Sequence, residues 1–285
     1  MTSPVKEKRR RRTQDESAEL LRAAQAILAD GHPMTVRQVY YQLVARQLIA
    51  NNRSQYQAIS NLLVAARQSG AVPWEWIEDR NRRPRTVQMW DDLDDFVITV
   101  RNAYKRDVWA EQPGYTEVWL EKDALSGIFE EALRPYGVTL NVGRGYDGWD
   151  SIHNAAERLG AGAGVTVLYF GDFDPSGEDM VRSLRERLKF FNCAPEIVKC
   201  ALTRQDVSRY QLPHDFTKST DSRSAGHVAR WGDISVELDA LPGAVLRQRL
   251  ITEVESRMDL IALAATRQQE QAERDRLNAL LDKSE

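Results

Sequence analysis

Cysteine is nearly absent from this chain of 285 residues, occurring only as Cys193 and Cys200. Their spacing matches neither a redox pair nor a zinc knuckle, so reduced thiols in a cytoplasmic setting are expected. Long apolar runs are also missing, and no stretch approaches a membrane span, so no membrane partner is expected. The start MTSPVKEKRRRR has no apolar h-region, so a secretory signal is not expected either. A GxxxxGK[ST] loop is absent too. The glycine-dense stretch GAGAG at 160–164 carries no lysine and no following helix, and it reads as a turn. ATP binding is therefore not expected from this chain.

Charge is present in quantity but unevenly placed. Residues 1–90 hold 15 Lys/Arg against 8 Asp/Glu, and residues 91–285 hold 24 against 34. A basic first third before an acidic remainder suggests a polyanion-binding module joined to one that handles metal or phosphate. A solvated tail accounts for part of the excess, because six of those positive charges sit in Lys6–Arg12.

Three helical segments follow the arm. Leu20, Leu21, Ala24, Ile27 and Leu28 mark the first, closed by Gly31. The second, TVRQVYYQLV at 35–44, has Thr35 as N-cap and Val36, Val39, Tyr40 and Leu43 on one apolar stripe. Tyr41 is rotated about 100° from that stripe and lies one turn after Arg37, so it is expected on the exposed face. The third starts at Ser54 and buries Tyr56, Ile59, Leu63 and Ala66. It presents Gln57, Asn61 and Gln68 on the other face, side chains suited to phosphates or base edges. AVPWEWIEDRNRRPR then reads as a short strand and a basic loop with Arg80, Arg82, Arg83 and Arg85. Three short helices and a basic hairpin have the order of a winged helix-turn-helix.

A linking helix is expected from Trp90, and at Tyr115 the grammar changes to alternating strands and helices. TEVWLE, VTLNV, VTVLYFGD and EIVKCAL are strands with helical segments between them, which implies a parallel sheet covered on both faces. After ISVELDALPG one long amphipathic helix is expected, with Leu246, Leu250, Val254, Met258 and Ile261 on its stripe and a charged, solvated tail. In such sheets functional groups sit at the carboxyl ends of strands. Glu121 follows one strand, and Asp172 and Asp174 follow another in GDFDPSGED. Three hard oxygen donors in one crevice suit Mg²⁺, with Mn²⁺ as a substitute. Two plainer roles compete: half of a calcium loop, which Ser183 at position twelve argues against, or capping of the helix at Pro175.

Together these parts resemble a known family. VWLEKDA followed by GDFDPSG resembles the Toprim fold, and TVRQVYYQLV resembles the tyrosine motif of the topoisomerase VI A subunit and its meiotic double-strand-break relatives. GRGYDG, which contains Arg144, resembles that family's glycine-rich loop, and the compact layout is most like the stand-alone Mini-A members. The match covers roughly residues 15–265. Two departures stand out: Gln38 occupies a position often acidic in the family, and the loop lacks the family's usual proline.

The resemblance implies a basic arm at 1–14, a winged-helix domain at 15–110, a Toprim domain at 111–242 and a C-terminal helix at 243–285. It implies Tyr41 as nucleophile with Arg37 beside it, Glu121, Asp172 and Asp174 as Mg²⁺ ligands, and Gln57, Asn61, Arg80, Arg82, Arg83, Arg85 and Arg144 on DNA. It also implies a homodimer that cuts double-stranded DNA, leaves a 5′-phosphotyrosine and associates with the nucleoid; without an ATP-binding loop in this chain, full strand passage needs a separate ATPase subunit or does not occur. A phenol with a pKa of about 10 needs such help: Arg37 for the developing phenolate and a metal for the phosphate. Two alternatives are a plasmid-defence type of Toprim nuclease that hydrolyses DNA with metal-bound water, and a non-catalytic winged-helix DNA-binding protein.

Overall fold

A computed structural model of the chain describes residues 13–78, 87–143, 148–160, 164–217 and 223–282. The chain divides into two compact units, Met1–Asp79 and Arg80–Glu285. This boundary falls ahead of the one expected near residue 110, and the linking helix belongs to the second unit.

The first unit is built on α1 (Gln14–Gly31), α2 (Val36–Ala45) and α3 (Arg53–Gln68). Each helix begins where a short polar side chain satisfies otherwise orphaned N–H groups. Thr13 and Glu16 form a capping box, and so do Thr35 and Gln38. The third cap is Asn52, not the expected Ser54, whose hydroxyl donates to Asn52 Oδ1. Leu20, Ala24, Ile27 and Leu28 of α1 are buried with Val39, Tyr40 and Leu43 of α2 and Ile59, Leu63 and Ala66 of α3. Tyr56, expected inside, is 36% exposed.

Among the described residues, the expected strand after α3 is reduced to a backbone bridge between Met34 and Ile77. Pro73 leads instead into a turn of 3₁₀ helix at Trp74–Trp76, closed by Trp76 N–H donating to Pro73 O at 3.3 Å. Proline fixes φ and has no N–H to give a ladder, which favours the turn over the strand. Arg67 secures this segment by donating to Trp74 O at 3.1 Å while its guanidinium covers the Trp74 ring at 4.2 Å.

The second unit is a mixed α/β structure. Its sheet comprises β1 (Tyr115–Leu120), β2 (Thr139–Val142), β3 (Val165–Phe170) and β4 (Glu196–Ala201), all parallel, in the order β2-β1-β3-β4. β3 is buried at every position, as a central parallel strand covered on both faces must be. Trp119, Val167, Tyr169 and Ile197 pack on one face against α6 (Trp149–Leu159) and α7 (Pro175–Phe190). On the other, Phe170 meets Phe129 of α5 (Ser126–Leu133) with ring centroids 4.9 Å apart.

The helix α8 (Arg204–Arg209) follows β4, and α9 (Ser224–Trp231) precedes the C-terminal region. That region is two helices instead of one, α10 (Gly243–Glu255) and α11 (Leu260–Leu281). The break comes where Asp259 caps α11 by accepting from Ile261 and Ala262 N–H. Leu246, Leu250, Val254 and Met258 are buried as expected, whereas Ile261, beyond the break, is 83% exposed. The charged tail also has structural partners. Glu270 accepts from Arg106 N–H at 2.8 Å, and Arg274 donates to Tyr104 O, just after α4 (Leu93–Ala103).

Candidate active site

Strand order reverses between β1 and β3, so the loops leaving these neighbours diverge and open a crevice at their carboxyl ends. Glu121 leaves β1 there, and Asp172 and Asp174 leave β3. Side chains alternate along a strand, so Tyr169 and Glu121 share a face, and the tyrosine hydroxyl donates to Glu121 Oε2 at 3.1 Å. The same oxygen accepts the Asp172 backbone N–H at 3.0 Å. Gly171 makes this approach feasible: a Cβ there would lie 2.4 Å from Glu121 Oε2. Burial raises the Glu121 carboxyl pKa, and the charges of Asp172 and Asp174 raise it further. Burial and the facing Glu121 likewise push the Tyr169 phenol well above its usual range.

Asp172 is held on both oxygens. Its Oδ1 accepts Leu238 N–H at 2.8 Å, and its Oδ2 lies 3.0 Å from Lys122 Nζ. Asp174 caps α7, its Oδ1 accepting Gly177 N–H at 2.6 Å, so the plainer role weighed for it is realised here. Lys199 reaches in from β4, donating to Asp172 O at 3.0 Å and pairing with Glu178 at 2.6 Å. The sheet thus brings Glu121 and the Asp-x-Asp turn together. Among the described residues, though, no group of three or more His, Cys, Asp or Glu is arranged to hold a metal ion. Lys122 supplies the positive charge beside Asp172.

Lys122, Tyr169, Glu237 and Asp239 are functional candidates that sequence reasoning missed. The signal for two of them was present: ISVELDALPG repeats the acid-x-acid spacing of GDFDPSG. Nothing along the chain announced that Phe173 and Val236 would exchange backbone hydrogen bonds of 2.9 Å and set these two segments side by side.

In the first unit, Tyr40 is buried as expected and is also a polar anchor. Its hydroxyl accepts Asn52 N–H at 2.8 Å and donates to Asn51 Oδ1 at 2.9 Å. The expectation that Tyr41 is exposed requires correction: only 7% of it is accessible. Its ring stands edge-on to Tyr40 at 5.1 Å, with the Arg37 guanidinium 5.8 Å from its centroid. Gln38, Val39, Tyr40, Tyr41, Leu43 and Val44 are all buried, so α2 is covered around most of its circumference. The rotation that separates Tyr41 from Tyr40 therefore does not bring it to the surface.

Gln38 is buried because its Oε1 accepts Thr35 N–H at 2.7 Å. A carboxylate would accept the same bond, so either residue type can close this capping box. Gln57 and Asn61 are exposed and joined by a 3.0 Å hydrogen bond. Arg80, Arg82, Arg83, Arg85 and Arg144 lie outside the described residues, as does the arm Lys6–Arg12.

Compared with known proteins, the chain matches no family model, and no curated sequence matches it significantly.

Proposed function

We propose that the protein is a metal-dependent DNA-cleaving enzyme whose catalytic carboxylates are Glu121, Asp172 and Asp174. The observation that carries this reading is the Glu121 carboxylate seated on the backbone of the Asp-x-Asp turn at the sheet's switch point. The donor chemistry suits a hard divalent cation, although among the described residues the three carboxylates are not arranged as a finished metal site. The donor set consists of carboxylate oxygens, burial and then the neighbouring charges of Asp172 and Asp174 raise the Glu121 pKa, and the Lys122 ammonium lies against Asp172. Glu121, Asp172 and Asp174 would hold Mg²⁺, or Mn²⁺ in its place, with Asp174 turned away from its cap. The ion would supply charge neutralisation at the scissile phosphate and at the leaving oxygen.

Within this reading the protein resembles the A subunit of the type IIB topoisomerases, with its winged-helix and Toprim parts and a homodimeric assembly. Tyr41 attacks phosphorus through its phenol oxygen, the O3′–P bond breaks, and the phenol proton leaves to the 3′ oxygen by way of solvent. The DNA is left with a 3′ hydroxyl and a 5′-phosphotyrosine. Arg37, one turn away, favours the developing phenolate. Gln57, Asn61 and the arginines at 80–85 and 144 contact the duplex. Any strand passage would fall to a separate ATPase subunit.

A second reading, hydrolysis by a metal-activated water, is favoured by one observation: Tyr41 is buried, and a nucleophile must reach its phosphate. Supercoiled plasmid incubated with the protein and Mg²⁺ or Mn²⁺, then run on a denaturing gel, separates the two. Protein attached to the cut ends, and lost in Tyr41→Phe, supports the tyrosine. Clean ends, with cutting retained in Tyr41→Phe, support water. Binding without cutting under either metal leaves a non-catalytic DNA-binding protein.

A further inference from the structure

Lys122 leaves the chain one residue after Glu121, and its side chain is only 16% exposed. Its ammonium lies 3.0 Å from Asp172 Oδ2, 2.8 Å from Glu237 Oε2 and 3.7 Å from Asp239 Oδ2. Two acid-x-acid segments therefore meet on a single cation. The Phe173–Val236 pairing sets them side by side, and Leu238 N–H holds the other Asp172 oxygen at 2.8 Å. Asp172 is fixed by backbone on one side and neutralised by a movable charge on the other.

We propose that Lys122 is a resident counter-cation that competes with a divalent cation for Asp172, and that Glu237 and Asp239 form the acidic berth that keeps the ammonium when Asp172 is taken. The inference rests on the metal-dependent reading above. An ammonium and a divalent ion on the same carboxylate repel each other, more strongly in a partly buried site than in water. Lysine suits the exchange because it is a compact point charge on a flexible four-carbon stem, unlike the rigid fork of arginine. The berth also suits the ammonium, because the Asp239 side chain is fully buried and a cation 3.7 Å away offsets its charge. Lys122 can release Asp172 without leaving Glu237, which it already touches.

The test is Mn²⁺ alone, titrated into the full chain and followed by the EPR signal of the free ion, with folding checked by circular dichroism. Lys122→Met removes the competitor and is expected to bind Mn²⁺ about tenfold more tightly. Glu237→Gln weakens the berth, leaves Lys122 on Asp172 and is expected to bind about threefold more weakly. Glu237 lies on the rim with a side chain 35% exposed, so this variant keeps its fold and decides the matter if Lys122→Met does not. Parent-like affinity in the folded variants, or shifts of the opposite sign, overturns the exchange while leaving the metal reading intact. No Mn²⁺ bound by the parent at millimolar concentration overturns the metal reading and this inference with it.

Discussion

Tyr40 and Tyr41 are adjacent on one helix, and their surroundings divide their roles. The Tyr40 hydroxyl satisfies the backbone N–H of Asn52, the residue that caps α3. Tyr40→Phe keeps the ring and orphans that donor, so a loss of about 1–3 kcal/mol is expected. Denaturant unfolding of the two proteins measures it, and an unchanged midpoint would remove the anchor role. Glu121 gives a change of opposite sign. Its pKa is higher in the folded state than in the unfolded one, so the folded state holds the proton more firmly. Its contribution to stability therefore falls as pH rises from the unfolded carboxylate range through the raised folded value. Glu121→Gln keeps an oxygen for Tyr169 and for the Asp172 N–H while removing the crowded charge. It is expected to be more stable at neutral pH, with a higher Tm, and, on the metal-dependent reading proposed above, inactive in DNA cleavage. Thermal melts at pH 7 and below pH 5 check the sign, because the advantage should shrink in acid.

Among the elements, α8 and α10 are joined by a buried ion pair that neither helix announces by itself. Arg249 pairs with Asp206 at 2.6 Å and also donates to Cys200 O at 3.0 Å, tying α10 to the end of β4. Burial alone would raise the Asp206 pKa, but hydrogen bonds from Arg249 and Thr203 outweigh it and hold the carboxyl below its ordinary range. A depressed carboxylate stabilises the fold above the unfolded pKa, and the contribution is lost as pH falls through the folded value. Asp206→Asn leaves the Arg249 charge short of its partner, and a loss of about 3–5 kcal/mol is expected. Most of that loss should vanish in strong acid, where the parent too has lost the pair. A neutral-pH midpoint equal to the parent's would show that the pair carries nothing.

For the whole molecule, the charge division along the chain is the clearest handle. If the basic first third binds DNA, affinity should fall steeply with salt, because each phosphate contact releases counterions. Deleting residues 1–12 removes six positive charges and should flatten the slope of log K against log salt by up to about 5. Filter binding across a salt series reads that slope, and an unchanged value would make the arm a solvated tail. Among the described residues, no helix is long and apolar enough to cross a membrane.

The sequence by itself determined the strands of the parallel sheet and the start of α2. Apolar alternation and runs marked all four strands within a residue or two, and Thr35 declared its helix start, because these signals are local and period and cap chemistry act within a few residues. It also placed Glu121 and the Asp-x-Asp turn at strand ends, since the sheet's direction follows from the βα alternation. Only the tertiary structure decided what those groups face. Tyr41 is covered because α2 is buried around most of its circumference, a property of its neighbours that the helix's own period does not record. The helix expected from 243 onward breaks where Asp259 caps a new one, and Gln112, far back in the chain, donates to Asp259 O at 3.1 Å and accepts its N–H at 2.7 Å. Asp172 meets Lys122 and Leu238 because a backbone pairing joins residues 173 and 236. Charge and hydrogen-bond partners depend on distances through space, and segments sixty residues apart in sequence carry no local mark of meeting.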